Sequence, residues 1–201
     1  MGGVSSCGVT LDQKVVCWGN NVYKSMEVPA GDFLTVAADG PWYYELRTDH
    51  TLARWGGYAS EPTPLPPTGA FQAIDVAGDT ACALHTEDTV AYWGRIDSYG
   101  ETKPPQGIFL SISVGATHSC GVCDDHQIGC WGSNAKGLSV ALPNSFQSVE
   151  AGPYNARAIR SDGTLVCWSD NSATINDTPG GTFIAVSVGE QHACARKQTR
   201  P

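Results

Sequence analysis

Residues 109–132 read FLSISVGATHSCGVCDDHQIGCWG, with Phe109, Cys120 and Trp131 spaced 11 residues apart. Phe109 is followed by Ser111 and then the β-branched Ile112, a composition suited to a strand. Val122 stands two places after Cys120 and Ile128 three places before Trp131, so two further short apolar runs flank the polar Asp124-Asp125-His126. The stretch therefore reads as three short strands, A, B and C, joined by tight turns.

The same columns recur along the chain. Trp18, Trp55, Trp93, Trp131 and Trp168 lie 37, 38, 38 and 37 residues apart, which is the signature of an internal repeat. Phe33, Phe71, Phe109, Phe146 and Phe183 each precede Tyr44, Cys82, Cys120, Arg157 and Cys194 by 11 residues. The third place after each Phe is β-branched (Val36, Ile74, Ile112, Val149, Val186), and the place before that is small. Only the segment from Trp to the next Phe varies in length, as a surface loop does. Ser161-Asp162-Gly163 typifies the B–C turn, where a final Gly can take the left-handed conformation of a bulged hairpin. A brief fourth strand is expected near Ser25–Val28, because Pro and Gly crowd the rest of that segment.

These units predict an all-β fold, a β-propeller of 37–38-residue repeats with five repeat units. A β-solenoid is the structural alternative, and the Gly, Pro and β-branched content excludes stacked helical repeats. Residues 1–195 are expected to form a single repeat-propeller domain. Arg196 takes an aliphatic column of strand B, so 196–201 are expected to be a tail.

Composition narrows the function. A formal net charge of −8 and a pI near 4.9 repel phosphate backbones, so nucleic acid is not an expected partner. No run reaches the length of a membrane helix, and MGGVSSCGVTLDQ has neither a basic n-region nor an apolar h-region, so no membrane insertion is expected.

His118, Cys120, Cys123, His126 and Cys130 are residue types that bind zinc. Cys120 and Cys130 share columns with Cys7 and Cys17, however, and His118 shares one with Thr80, Asn155 and His192, so a repeated structural role is the simpler reading and no metal or cofactor is predicted. In the inferred register Cys7 faces Cys17 and Cys120 faces Cys130 across the B–C hairpins, close enough for disulfides. Cys82 faces Tyr92 and Cys167 faces Arg157, which leaves both free. An extracytoplasmic or secreted location follows if the two pairs are oxidised.

No nucleophile, base and orienting acid recur together, so an enzyme is not expected and no catalytic residue is assigned. Asp75 and Glu150 occupy a strand-A column where a wet central axis explains them at least as well as acid–base chemistry does. Arg54 falls opposite Tyr44, where a cation–aromatic stack would shelter it. The sequon Asn176-Asp177-Thr178 carries little weight beside Pro179.

The units Cys7-Gly8-Val9 to Cys17-Trp18-Gly19 and His118-Ser119-Cys120-Gly121-Val122 to Cys130-Trp131-Gly132 resemble repeats of the regulator of chromosome condensation superfamily. Their short, Cys-bearing form is similar to that of plant Crinkly-type receptor ectodomains and of bacterial repeat proteins. The resemblance implies a propeller, usually of seven blades, so this chain is expected to be either a fragment of a seven-bladed ring or a five-bladed ring. It implies little about function, because that fold hosts nucleotide exchange on a small GTPase, photoreception, ubiquitin-ligase scaffolding and inhibition of secreted β-lactamases.

The function expected from all this is a non-catalytic binding scaffold for a protein partner, engaged through loops on one propeller face. A carbohydrate-binding propeller is the alternative, with an enzyme or enzyme inhibitor behind it. A lectin would repeat its polar and aromatic residues in each loop, and these loops do not. If the strands alternate up and down, the A–B and C–D loops share a face, and they carry Trp42, Tyr58, Tyr99 and Tyr154. Rigid aromatics of this kind build interface hot spots, so these four are the candidate binding residues.

Overall fold

The computed structural model describes residues 5–58, 65–94, 99–134, 144–169, 178–189 and 193–198. The sequon at Asn176 and Asp177, His192, and residues 199–201 of the expected tail lie outside them. Sixteen strands are present among the described residues: β1 (Ser5–Val9), β2 (Val15–Gly19), β3 (Phe33–Asp39), β4 (Trp42–Arg47), β5 (Leu52–Gly56), β6 (Phe71–Ala77), β7 (Thr80–His85), β8 (Val90–Gly94), β9 (Phe109–Val114), β10 (His118–Cys123), β11 (Ile128–Gly132), β12 (Phe146–Ala151), β13 (Asn155–Arg160), β14 (Leu165–Ser169), β15 (Phe183–Val188) and β16 (Ala193–Lys197).

They pair into six small antiparallel sheets, of which β3-β4-β5, β6-β7-β8, β9-β10-β11 and β12-β13-β14 carry the full A-B-C order. These repeated sheets are the blades of the propeller. β1-β2 holds B and C strands, and β15-β16 holds A and B. Pairing in the last sheet reaches Arg196, opposite Ala185, and Lys197, opposite Phe183.

The chain divides into two compact units, Met1–Ile96 and Asp97–Pro201. In the first, Leu46 and Leu52 of one blade meet Phe71, Ile74, Ala83, Ala91 and Trp93 of the next. In the second, Cys120, Val122 and Ile128 meet Phe146, Val149 and Ala158 of the following blade. The core therefore lies between blades, on the columns that repeat in the sequence.

Each A strand carries a register shift directly after its Phe, between Phe33 and Thr35, Phe71 and Ala73, Phe146 and Ser148, and Phe183 and Ala185. In a regular strand Phe and the residue three places on would point to opposite faces. The extra residue of the bulge turns them to the same face, so Phe71 and Ile74 enter one cluster and Phe183 and Val186 another. The bulged residues Leu34, Leu110 and Ile184 are left exposed.

The B–C turns have the expected form. Gly163 donates to Arg160 O at 2.8 Å with φ +84°. In the other copies Gln13, His50, Asp88 and His126 hold that left-handed position. The turn also grips the next A strand, since Phe71 N donates to His50 O and Phe146 N to His126 O, each at 2.8 Å. The imidazoles follow, with His50 Nδ1 2.8 Å from Phe71 O. These turn histidines therefore fasten one blade to the next.

The expected strand near Ser25–Val28 is not formed. Residues 20–32 hold turns and irregular backbone instead, hydrogen-bonded partly within the segment and partly to the following blade. Trp55 Nε1 donates to Ser25 O at 2.9 Å and Gly57 N to Tyr23 O at 3.1 Å. Trp131 repeats the arrangement with Glu101 O at 2.8 Å. The C–D segment is thus tied to the next blade by an indole donor rather than by a ladder.

Candidate binding surface

In the β3-β4-β5 blade, three pieces of chain converge at one end: the A–B turn before Trp42, the end of β5, and the preceding segment at Tyr23. Gly57 (φ +98°) makes this possible, because a Cβ there would sit 2.1 Å from Trp42 Cζ3. Trp42 is only 4% exposed and packs with Tyr44 and Ala81. This differs from an indole standing free on the rim: with glycine beneath it, the ring lies down against backbone. Tyr58, 49% exposed, stands edge-on to it with ring centroids 6.4 Å apart. Tyr23 completes the group, edge-on to Tyr58 at 5.1 Å, with the two hydroxyls 3.3 Å apart.

The second unit offers Tyr99 and Tyr154, 59% and 55% exposed. Tyr99 N donates to Glu101 Oε2 at 2.8 Å, which anchors the loop through a buried carboxylate. Tyr154 sits in the A–B turn closed by Gly152 N donating to Asn155 O at 2.7 Å. The structure thus brings Trp42 and Tyr58 together, and presents Tyr99 and Tyr154 as separate exposed rings.

Cys7–Cys17 and Cys120–Cys130 are disulfides between directly opposed residues, with Cα atoms 4.1 Å apart in each. Cys82, Cys123, Cys167 and Cys194 are free thiols. Burial pushes the Cys82 thiol well up, aided by the nearby Asp75 charge. Burial also raises Cys167, against the opposing charge of Arg157. Thiols held protonated in this way are poor nucleophiles.

The residues that resembled a zinc set serve elsewhere: Cys120 and Cys130 bond to each other, and His126 Nδ1 lies 3.3 Å from Phe146 O. No group of three or more His, Cys, Asp or Glu suited to a metal occurs among the described residues. Arg54 is register-paired with Tyr44 and Arg157 with Cys167, as the spacing predicts. Asp75 and Glu150 lie in different units, Asp75 opposite Cys82 and Glu150 opposite Arg157.

Two buried groups escaped the sequence reading. Glu45 is fully buried where other blades place Gly121 or Ala83; its carboxyl is raised by burial, with Arg47 at 3.0 Å opposing the shift. His118 is fully buried with neither ring nitrogen hydrogen-bonded, and burial pulls it down to about 4. A carboxylate in a column of Gly and Ala was the available signal for Glu45. For His118 no signal existed, because its column already mixes Trp42, Thr80 and Asn155.

No family model matches the sequence, and no curated protein matches it. Solved structures do. The ectodomain of the receptor kinase CR4 from Physcomitrella patens superposes with a TM-score of 0.82 at 25% identity, covering 98% of this chain and 57% of that one. The chain has the repeat-propeller fold of the regulator of chromosome condensation superfamily. The CRINKLY ectodomain of the Arabidopsis thaliana receptor kinase ACR4 follows, with a TM-score of 0.80, 24% identity, and 98% and 73% coverage of the two chains. Prp20p from Saccharomyces cerevisiae, at 14% identity and a TM-score of 0.74, shares the fold over 98% of this chain and 67% of its own. The present chain thus spans little more than half of the CR4 ectodomain. Its two disulfides, and its likeness to receptor ectodomains of this superfamily, are consistent with an extracytoplasmic location.

Proposed function

We propose that this propeller is a non-catalytic scaffold that binds a protein partner through the exposed aromatics of its A–B and C–D loops. The observation that carries the reading is the Tyr23–Tyr58 pair, whose Tyr58 ring meets the buried Trp42. Two phenols held edge-to-face, one of them also edge-on to a buried indole, present an amphipathic surface whose ordering entropy is lost before any partner arrives. Tyr99 and Tyr154 extend the contact set, and Trp42 acts as a positioning residue beneath Tyr58. The same fold is put to binding in Prp20p, which has binding properties toward Gsp1p and histones. Neither of those partners is carried over to this acidic chain.

The test is a partner recovered by proximity cross-linking from p-benzoylphenylalanine placed at Tyr58, then measured by calorimetry. Tyr58→Ala, Tyr99→Ala and Tyr154→Ala together should weaken it more than about tenfold at unchanged Tm. Trp42→Ala should weaken binding and lower Tm together. Undiminished affinity in the triple Tyr variant overturns the reading, and specific binding of a glycan array with one ligand per blade replaces it with the carbohydrate alternative.

A further inference from the structure

At one end of the β3-β4-β5 blade three rings follow one another at near right angles, Tyr23 to Tyr58 at 76° and Tyr58 to Trp42 at 79°. An aromatic face carries the negative pole of the ring quadrupole, so rings set this way offer negative faces in more than one direction. The two phenol oxygens, 3.3 Å apart, bring their lone pairs to one spot on the same group. Such a group can take a cation over a ring face or an apolar chain against it. The charges around it decide between the two.

Two carboxylates stand beside Trp42. Asp39 lies directly opposite it across β3 and β4, and accepts from Gly40 N at 2.9 Å and from Gly78 N in the A–B turn of the next blade. Both donors are uncharged amides, so among the described residues this carboxylate is fixed in place without being neutralised. Asp79 is exposed and lines a crevice between the two blades together with Trp42, Tyr44 and Thr80. The bases on these segments are engaged elsewhere: Lys24 lies 3.7 Å from Glu27, Arg47 lies 3.0 Å from Glu45, and Arg54 is half-buried opposite Tyr44. The turn itself does not ask for acids, since the corresponding A–B turns Gly115-Ala116-Thr117 and Gly152-Pro153-Tyr154 carry no charge.

We propose that the Tyr23–Tyr58–Trp42 group, with Asp39 and Asp79 beside it, receives an arginine or lysine side chain of the partner. This rests on the reading of the aromatic loops as the binding surface, and names the chemistry that surface selects. A phenol face holds the cation. The two carboxylates draw it in from a distance, within the range that physiological salt leaves unscreened. A partner that offers a carboxylate at this place is repelled, and one that offers only an aliphatic chain gains nothing from the acids.

The test uses the 201-residue chain with carbon-13-labelled tyrosine rings, followed by NMR during titration with acetyl-Gly-Arg-Gly-Arg-Gly-amide and its lysine, norleucine and glutamate counterparts. The Tyr23 and Tyr58 ring signals should shift saturably with the arginine and lysine peptides, with a Kd about tenfold or more below that of the norleucine peptide. The glutamate peptide should leave them in place. Tyr58→Ala should weaken the response of Tyr23 by about tenfold. Asp79 is exposed, so Asp79→Asn keeps the fold, which an unchanged Tm verifies; it should weaken the cationic peptides about twofold to threefold, and added salt should erase that difference. Absence of a saturable shift with either cationic peptide overturns the proposal, and so does equal affinity for the norleucine peptide or an Asp79→Asn protein that binds as the parent does. The cross-linked partner separates this failure from that of the wider reading. If it is still lost by the triple Tyr variant, the loops remain the binding face and only the cationic preference falls; if it is retained as well, both fall.

Discussion

The β3-β4-β5 and β9-β10-β11 blades share a backbone and differ in almost everything packed on it. Position for position, Trp42, Tyr43, Tyr44 and Glu45 of β4 correspond to His118, Ser119, Cys120 and Gly121 of β10, and Arg54 of β5 to Cys130 of β11. One blade is held by stacked aromatics and an ion pair, the other by a disulfide beside a buried imidazole. Both keep the same bond from the strand-C indole to a carbonyl 30 residues earlier. What these two blades share is thus small: the bulged Phe strand, the indole donor, and glycine after the Trp. Gly56 (φ +78°) and Gly132 (φ +98°) satisfy the last, where a Cβ would meet Tyr43 Cδ2 at 2.6 Å or Thr117 O at 2.8 Å. The Tyr44–Arg54 and Cys120–Cys130 facing pairs fill the same columns with different chemistry.

The largest expected effect tests the shared part. Trp55→Ala and Trp131→Ala should each destabilise by about 3–5 kcal/mol, since both lose a buried ring and an indole hydrogen bond. Urea denaturation measures this. A cost in one blade and none in the other would show that the common joint is not what holds them.

The buried titrating groups separate the blades by sign. His118 is held neutral and pulled down to about 4 by burial. Between the ordinary histidine value and 4 the unfolded chain binds the proton and the folded chain does not, so stability falls as pH drops through that window. The loss amounts to about 3 kcal/mol. His118→Asn, which copies the residue at Asn155, should flatten that part of the curve. Glu45 is raised by burial, so it binds its proton in the folded state first and costs stability as pH climbs from the carboxylate range. Glu45→Ala should remove a slope of the opposite sign. Stability profiles of parent and variants from pH 4 to 8 decide both, and equal slopes in parent and His118→Asn would refute the first.

The disulfide comes next. Cys120→Ser with Cys130→Ser should cost about 2–3 kcal/mol by loop entropy. Reduction of the parent opens both bridges and should cost about twice as much, and it should raise the count of thiols alkylated in denaturant from four to eight, read by mass spectrometry. Eight reactive thiols in protein prepared without reductant would show that neither bridge forms.

Much of the fold was legible because the repeat averages over copies. Five Phe, five Trp and the 11-residue spacings identify strands A, B and C, and the facing pairs follow from hairpin geometry. What escaped is what no column can carry. The bulge is hidden because Phe71 and Ile74 look like opposite faces of a regular strand until the register shifts between them. The C–D segment was misplaced because Ser25 uses its backbone carbonyl, which leaves no mark in the side chains. At the candidate site, the exposed Tyr58, Tyr99 and Tyr154 follow from loop position alone, whereas the burial of Trp42 depends on Gly57 from another strand end.

The smallest expected effect sits in the B–C turns and compares a residue rather than a blade. Gln13, His50, Asp88 and His126 hold φ near +65° where Gly163 does so freely. A left-handed non-glycine residue costs roughly 1–2 kcal/mol in backbone strain, partly offset because glycine is freer in the unfolded chain. His50, His126 and Asp88 recover some of that cost, since the imidazoles reach the next Phe carbonyl and Asp88 accepts from Gln72 at 2.7 Å. Gln13 has only its backbone contacts, donating to Thr10 O and accepting from Phe33 N, both at 2.9 Å. Gln13→Gly should therefore stabilise by about 0.5–1 kcal/mol, whereas His50→Gly should gain nothing or lose. Thermal denaturation of the two variants distinguishes them, and an equal gain in both would mean that the His50 imidazole contributes nothing to the joint between blades.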